Sequence, residues 1–223
     1  MTDLLITIDG PAGSGKTTVS RTLAEKLGYV YVDTGSLYRG VAYEAKQHGI
    51  APDDDAALEN LCARIELRMV RTAAGTRLFS GDTDISDNLR TPEMSMMASA
   101  VSARKVVRQA LLGIQRELGA KKRAVFEGRD MGTVVFPDAD VKFFLTADLH
   151  TRAMRRYKEL LENAEQTLEA VAADMKKRDE NDAARDVAPL KPAADAVILD
   201  STGLSVETVV GEMMKRVSEK AHA

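Results

Sequence analysis

Apolar positions along this chain switch between two periods, and the switches mark out its elements. Residues 4–9 (LLITID) form a continuous apolar run, the pattern of a strand buried on both faces. Val19, Leu23, Ala24 and Leu27 then recur at helical spacing. Residues 29–33 (YVYVD) read as a second strand closed by the turn chemistry of Asp33-Thr34-Gly35. Residues 37–46 read as a helix ending near Gly49, and residues 58–65 as another after Asp53-Asp54-Asp55, whose acids suit a helix N-terminus. From Glu66 to about Ile85, short runs broken by Ala73-Ala74-Gly75 and Gly81-Asp82 predict an antiparallel hairpin or three-strand ribbon. Met94, Met96 and Met97 follow and read as core packing. Val107, Ala110, Leu111, Ile114 and Leu118 mark an amphipathic helix. Strands are predicted at 123–127, 141–146 and 196–200, with polar-faced helices at 154–161 and 168–175 between the last two. Val206, Val209, Val210, Met213, Met214 and Val217 give the stripe of a closing helix capped by Ser205.

Strand, helix, strand is a βαβ unit, so the fold class is α/β with parallel strands in an open sheet. The ribbon interrupts that alternation and reads as an insertion on the substrate side. The sequence shows no internal repeat and no low-complexity tract.

Composition narrows the function classes. The 223 residues suffice for a full core, and 44% hydrophobic with 29% charged residues is an ordinary soluble balance. A net charge of −3 argues against a nucleic-acid polymer as main partner, and no apolar run approaches a membrane span. The single cysteine, Cys62, excludes an internal disulfide framework; its spacing with Leu58, Leu61 and Ile65 makes it a small core residue rather than a nucleophile. With no signal peptide evident, the expected compartment is a reducing cytoplasm.

The sharpest chemistry lies between the first strand and the first helix. Gly10-Pro11-Ala12-Gly13-Ser14-Gly15-Lys16-Thr17-Thr18 fits G-x-x-x-x-G-K-[ST] in the strand–loop–helix context a P-loop needs. Glycines let the loop turn its backbone N–H groups inward onto phosphate oxygens, and the helix N-terminus adds its dipole. Lys16 is then placed as a point charge on the outer phosphates of a nucleotide, and the Thr17 hydroxyl can ligate Mg²⁺.

Ligands of such a sheet bind at the carboxyl ends of its strands. Three further segments leave strands there: Asp33 to Arg39, Glu127 to Thr133, and a basic region with Arg152, Arg155, Arg156, Arg178 and Arg185. Convergent guanidinium groups facing a P-loop suit a second phosphate. Each feature has a plainer reading. Arg39 fits a solvated helix residue, Arg129-Asp130 a structural ion pair, and Arg152 and Lys158 exposed helix faces. Arg178, Asp182 and Arg185, at i, i+4 and i+7, would share one helix face and fit a surface charge ladder as well as a phosphate clamp.

Four segments together resemble the bacterial-type cytidylate kinases over nearly the whole chain: GPAGSGKTT, DTGSLYR, EGRDMGTVVFPDA and RDENDAARDVAPLKPAADAVILDST. DTGSLYR departs from the commoner Ala-Met form at Ser36 and Leu37, positions expected to face away from the ligand. The resemblance implies one nucleoside monophosphate kinase unit over residues 1–223, a P-loop NTPase fold with a five-stranded parallel core sheet. Its core would cover about 1–60, 104–150 and 187–223, its monophosphate-binding insertion about 61–103 and its lid about 151–186. It implies phosphoryl transfer from ATP to CMP or dCMP with Mg²⁺, by a monomer. Carried onto matching positions, it implies that Thr34, Arg39 and Arg129 hold the CMP phosphate. Ser99, Arg108 and Asp130 would read the cytosine edge, Arg178 and Asp182 would reach the sugar and nearby phosphate, and Arg185 would close from the lid. Lys16, Arg129, Arg178 and Arg185 would then be the catalytic cations.

Two competing classes remain. A P-loop switch protein is expected to carry a guanine-reading NKxD motif, which this sequence lacks. Shikimate and gluconate kinases share the P-loop but not the later segments.

Overall fold

A computed structural model describes residues 3–72, 75–89, 91–160 and 166–222. Ala73 and Ala74 of the expected hairpin turn, and Leu161 at the end of an expected helix, lie outside them. The chain falls into two compact units, Met1–Tyr31 with Lys121–Ala223, and Val32–Ala120.

The first unit is built on a parallel sheet. Strands β1 (Leu5–Asp9), β2 (Val30–Asp33), β6 (Ala124–Gly128), β7 (Val141–Thr146) and β8 (Val197–Asp200) lie in the order β2-β6-β1-β7-β8. β1 is central because it is apolar on both faces and every one of its residues is buried. Its register runs Leu5 to Ala124 and Asp9 to Gly128 on one side, and Ile6 to Val141 and Asp9 to Phe144 on the other. Helix α1 (Lys16–Leu27) buries Val19, Leu23 and Ala24, and α8 (Val206–Ala221) buries Val209, Val210, Met213 and Val217 in the same cluster as Ile6, Ile8 and Phe143. Ser205 caps α8 through the amide of Thr208, as its sequence position suggests. Helices α6 (Leu149–Leu160) and α7 (Leu168–Ala183) pack on each other through Ala153, Leu160, Val171 and Met175.

The second unit holds helices α2 (Thr34–Gln47), α3 (Asp55–Cys62), α4 (Pro92–Ser102) and α5 (Lys105–Gly119) with an antiparallel ribbon. The ribbon is β3 (Leu67–Thr72), β4 (Gly75–Ser80) and the two-residue β5 (Thr83–Asp84). Leu37, Val41, Leu58, Leu61, Val107 and Leu111 form its core, with Cys62 packed against it. Burial pushes the Cys62 thiol up, which suits the inert core role read from its spacing.

Four sequence expectations are corrected here. Asp33-Thr34-Gly35 is not a turn: Asp33 caps α2, accepting from the Ser36 amide at 3.2 Å, so Thr34 and Gly35 open the helix directly. The methionine segment belongs to helix α4, capped by Thr91, and only part of it is core: Met94 is buried while Met96 is 71% exposed. Arg152 is not on a solvated face but buried, at 7% exposure. Helix α7 stops at Ala183, so Arg185 lies beyond its end rather than on the face that carries Arg178 and Asp182.

Candidate active site

In the first unit, β1 runs straight into the phosphate loop. Gly10 is obligatory there: at φ +149, a Cβ would stand 2.0 Å from the Leu145 carbonyl oxygen. Gly13, at φ +71, would drive a Cβ to 2.8 Å from both the Arg152 carbonyl oxygen and the Met175 side chain. Gly15, also left-handed, sits at the N-cap of α1 without offering a side chain, so the first amides of the helix have no side-chain cap. These are the donors a P-loop turns on phosphate.

Lys16 is buried at the start of α1, with Nζ donating to the Pro11 carbonyl at 2.6 Å and to Ser14 Oγ at 3.4 Å. Burial holds its ammonium well below the ordinary lysine range; the Arg129 cation adds to this, Glu127 opposes it, and Arg178 adds further. The cations assigned from sequence therefore crowd one another inside this unit. Such crowding favours a polyanionic ligand.

The loop is braced from behind. Arg152 Nε donates to the Ala147 carbonyl at 2.9 Å, and its Nη1 donates to the Ala12 carbonyl at 3.2 Å and to Asp179 on α7 at 2.5 Å. Arg155 donates to the Ser14 carbonyl at 3.3 Å and to Ser201 Oγ and carbonyl at 2.9 and 2.8 Å. Ser201 Oγ itself donates to the Ser14 carbonyl at 3.0 Å.

Asp182 gathers two of the assigned arginines. It is 1% exposed and accepts from Arg129 Nε at 3.2 Å and from Arg185 Nη2 at 2.5 Å. Arg185 reaches it from just past the helix end, through an i, i+3 pair. The Asp182 carbonyl also accepts from the Leu190 amide, which folds the chain after α7 back onto this point. Arg129 thus pairs with Asp182, 53 residues on.

After β6 the chain passes Arg129 and Asp130 and enters a single π-helical turn, Met131–Val135. Asp130 is 2% exposed. Such turns are rare and cluster at functional sites.

Sequence reasoning left two carboxylates of this unit out of the site. Glu127, last but one in β6, accepts from Thr17 Oγ1 and from Tyr31 Oη, both at 2.9 Å. Its signal was its position: a carboxylate at the carboxyl end of a strand paired with β1, in register with Ile8. Thr17 and Glu127 are hard oxygen donors side by side, a fit for Mg²⁺, which takes one or two protein oxygens and completes its shell with water and phosphate. Among the described residues no cluster of three His, Cys, Asp or Glu competes for a metal. The second carboxylate is Asp9, at the foot of the loop, whose carboxyl burial pushes up to about 6 against two backbone hydrogen bonds from Gly132 and Met131.

The second unit carries the remaining assigned residues. Thr34 is buried in the first turn of α2. Arg39, one turn later, pairs with Asp33 at 2.6 Å and is half-buried rather than solvated. Ser36 Oγ donates to the Asp33 carbonyl, and Leu37 is fully buried. Arg108 on α5 is buried, donates to the Ser102 carbonyl at 3.0 Å and lies 5.4 Å over the Tyr38 ring. Ser99 is half-buried on α4, its carbonyl accepting from Ser102 Oγ.

Among the described residues no helix is long and apolar enough to cross a membrane. Comparison with known proteins agrees with the four motifs. A cytidylate kinase of Geobacter sulfurreducens is 48% identical over 99% of this chain and 95% of its own length. One from Halalkalibacterium halodurans is 41% identical over 97% and 100%. A gluconokinase from Sinorhizobium meliloti 1021 shares the fold, with a TM-score of 0.50 at 14% identity, over 99% of this chain and 96% of that one. The cytidylate kinase family model matches residues 6–219, and the chain belongs to that family.

Proposed function

We propose that this protein transfers the γ-phosphoryl group of ATP to CMP or dCMP, giving ADP and the nucleoside diphosphate. The observation that carries this is the gathering of Arg129 and Arg185 on the buried Asp182, in the unit where Arg129 and Arg178 also depress the Lys16 ammonium. A single nucleotide in a P-loop does not need that many cations; two phosphate groups do.

A phosphate oxygen of CMP is already anionic, so no general base is needed. The protein must hold two anions in line and neutralise them. In this reading Gly10 to Thr18 cradle ATP, and Lys16, Arg129, Arg178 and Arg185 neutralise the transferring group. Thr17, with Glu127 behind it, would hold Mg²⁺, which supplies charge neutralisation across the ATP phosphates. Thr34, Arg39 and Arg129 are assigned to the CMP phosphate, and Arg178 and Asp182 to the sugar and nearby phosphate. A carboxylate accepts about four hydrogen bonds, so Asp182 can take a hydroxyl while keeping both arginines.

Ser99, Arg108 and Asp130 are assigned to the cytosine edge. The exocyclic amine of cytosine is a donor that a carboxylate accepts; uracil presents an acceptor there and leaves a mismatched buried group. The test is coupled ADP release with CMP, dCMP, UMP, AMP, shikimate or no acceptor. CMP and dCMP should give the fastest release, and Asp130→Ala should erode the CMP-to-UMP ratio of kcat/KM at least tenfold. Release that is independent of CMP would sink the reading.

A further inference from the structure

We infer that Asp9 is a positioning residue that caps, from a neighbouring strand, the turn that directly follows Arg129 and Asp130, and so sets the acceptor side of the site rather than the ATP side. The inference rests on the phosphoryl-transfer reading above.

The geometry is specific. Asp9 Oδ1 accepts from the Met131 amide at 2.9 Å and Oδ2 from the Gly132 amide at 2.8 Å. These are the first two amides of the π turn, where a helix leaves its N–H groups without an intrahelical partner. Asp130 occupies the N-cap position but makes no side-chain capping bond. Asp9, 122 residues away in sequence, does that work instead, which leaves the Asp130 carboxylate to other partners.

A second observation fixes the turn in place. Gly132 lies so close to the sheet that a Cβ would stand 3.1 Å from Thr7 Oγ1 on β1 and 3.2 Å from Lys142 Cδ on β7. Thr7 and Asp9 are two apart on β1 and face the same side. The turn is therefore seated on β1 by one close approach and two hydrogen bonds. Its partners at the far end are its own: Val134 and Val135 donate to the Asp130 carbonyl, and Phe136 to the Met131 carbonyl.

The backbone of the ATP side is held by other groups, and the Asp9 side chain reaches that side only through its charge acting on Lys16. The Asp9 backbone is held in the ladder against Gly128 and Phe144, and the loop that follows is braced by Arg152 and Arg155. A buried carboxylate whose ionised form is disfavoured by its surroundings is also a poor choice for stability alone.

The experiment is steady-state kinetics of Asp9→Asn and Asp9→Ser, with ATP affinity measured separately by equilibrium dialysis and CMP set against UMP. Asparagine keeps the shape but satisfies only one of the two amides; serine can reach at most one. The expected result is a rise of about tenfold or more in KM for CMP and a similar fall in the CMP-to-UMP ratio of kcat/KM, with ATP affinity within about twofold of wild type. Equal losses on both substrates, unchanged kinetics, or loss of ATP binding in both variants would overturn the inference. Wild-type enzyme that fails to use CMP would instead overturn the reading beneath it.

Discussion

Replacing Arg152 by methionine tests how the phosphate loop is supported. The side chain is 9% exposed and joins three elements: the exit of β7, the loop at Ala12 and helix α7 at Asp179. Methionine fills the volume but leaves the Ala147 and Ala12 carbonyls without this donor and Asp179 without its cation. The other carboxylate oxygen of Asp179 is buried and already lacks a hydrogen bond. Breaking a buried pair from one side costs about 3–5 kcal/mol. Asp179 is 22% exposed and can regain some hydration, so the lower end, about 3 kcal/mol, is the figure to expect. At about 2–4 °C per kcal/mol for a chain of this length, Tm should fall by roughly 6–12 °C. Thermal and urea unfolding followed by circular dichroism read this directly. Replacing both partners, Arg152→Met with Asp179→Leu, should recover part of the loss, because no charge is then stranded. A loss below about 1 kcal/mol, the range of exposed pairs, would refute the reasoning and return Arg152 to the solvated face that its sequence suggests.

Three further outcomes follow from the same geometry. The carboxyl of Asp9 rises from 3.8 to about 6 on folding, so its contribution to stability is full below pH 3.8 and is lost as pH rises through 6. Urea unfolding at pH 4 and pH 7 should show wild type losing about 2 kcal/mol relative to Asp9→Asn across that interval, and a flat difference would contradict it. Gly13→Ala, strained at φ +71 and pressed on the Arg152 carbonyl and Met175, should weaken ATP binding by at least tenfold in a dialysis measurement; wild-type affinity would show that the loop relaxes freely. Arg185→Ala should lower kcat more than it weakens ATP binding, since Arg185 is assigned to the transferring phosphate; equal kinetics would remove it from the mechanism.

Strand β1 was legible because its residues are apolar and buried on both faces. The phosphate loop was legible because its chemistry is contained in nine consecutive residues. Helix α4 was overlooked, although Met94, Ala98 and Val101 are buried at i, i+4 and i+7; Met96 and Met97 blurred the period by adding apolar residues off the stripe. Arg152 was misread for a different reason. Among Arg152, Arg155 and Arg156 nothing local says which turns inward, and the acceptor at Ala12 is 140 residues away. Asp9 and Glu127 were passed over because each looks like the polar end of a strand; their roles are set by amides and hydroxyls from distant segments. The pairing of Arg185 with Asp182 survives the end of the helix between them, because a long guanidinium side chain bridges a break that a periodicity argument assumes is absent.

The central place of β1 has a consequence for how the chain matures. Its two flanking strands begin at Ala124 and Val141, more than a hundred residues downstream. During synthesis from the N-terminus, this apolar segment leaves the ribosome long before either neighbour exists, and its closure waits on a large loop. The element that organises catalysis is thus among the last to be locked, and slow, sequence-distant pairing should dominate the time this protein takes to reach its working form.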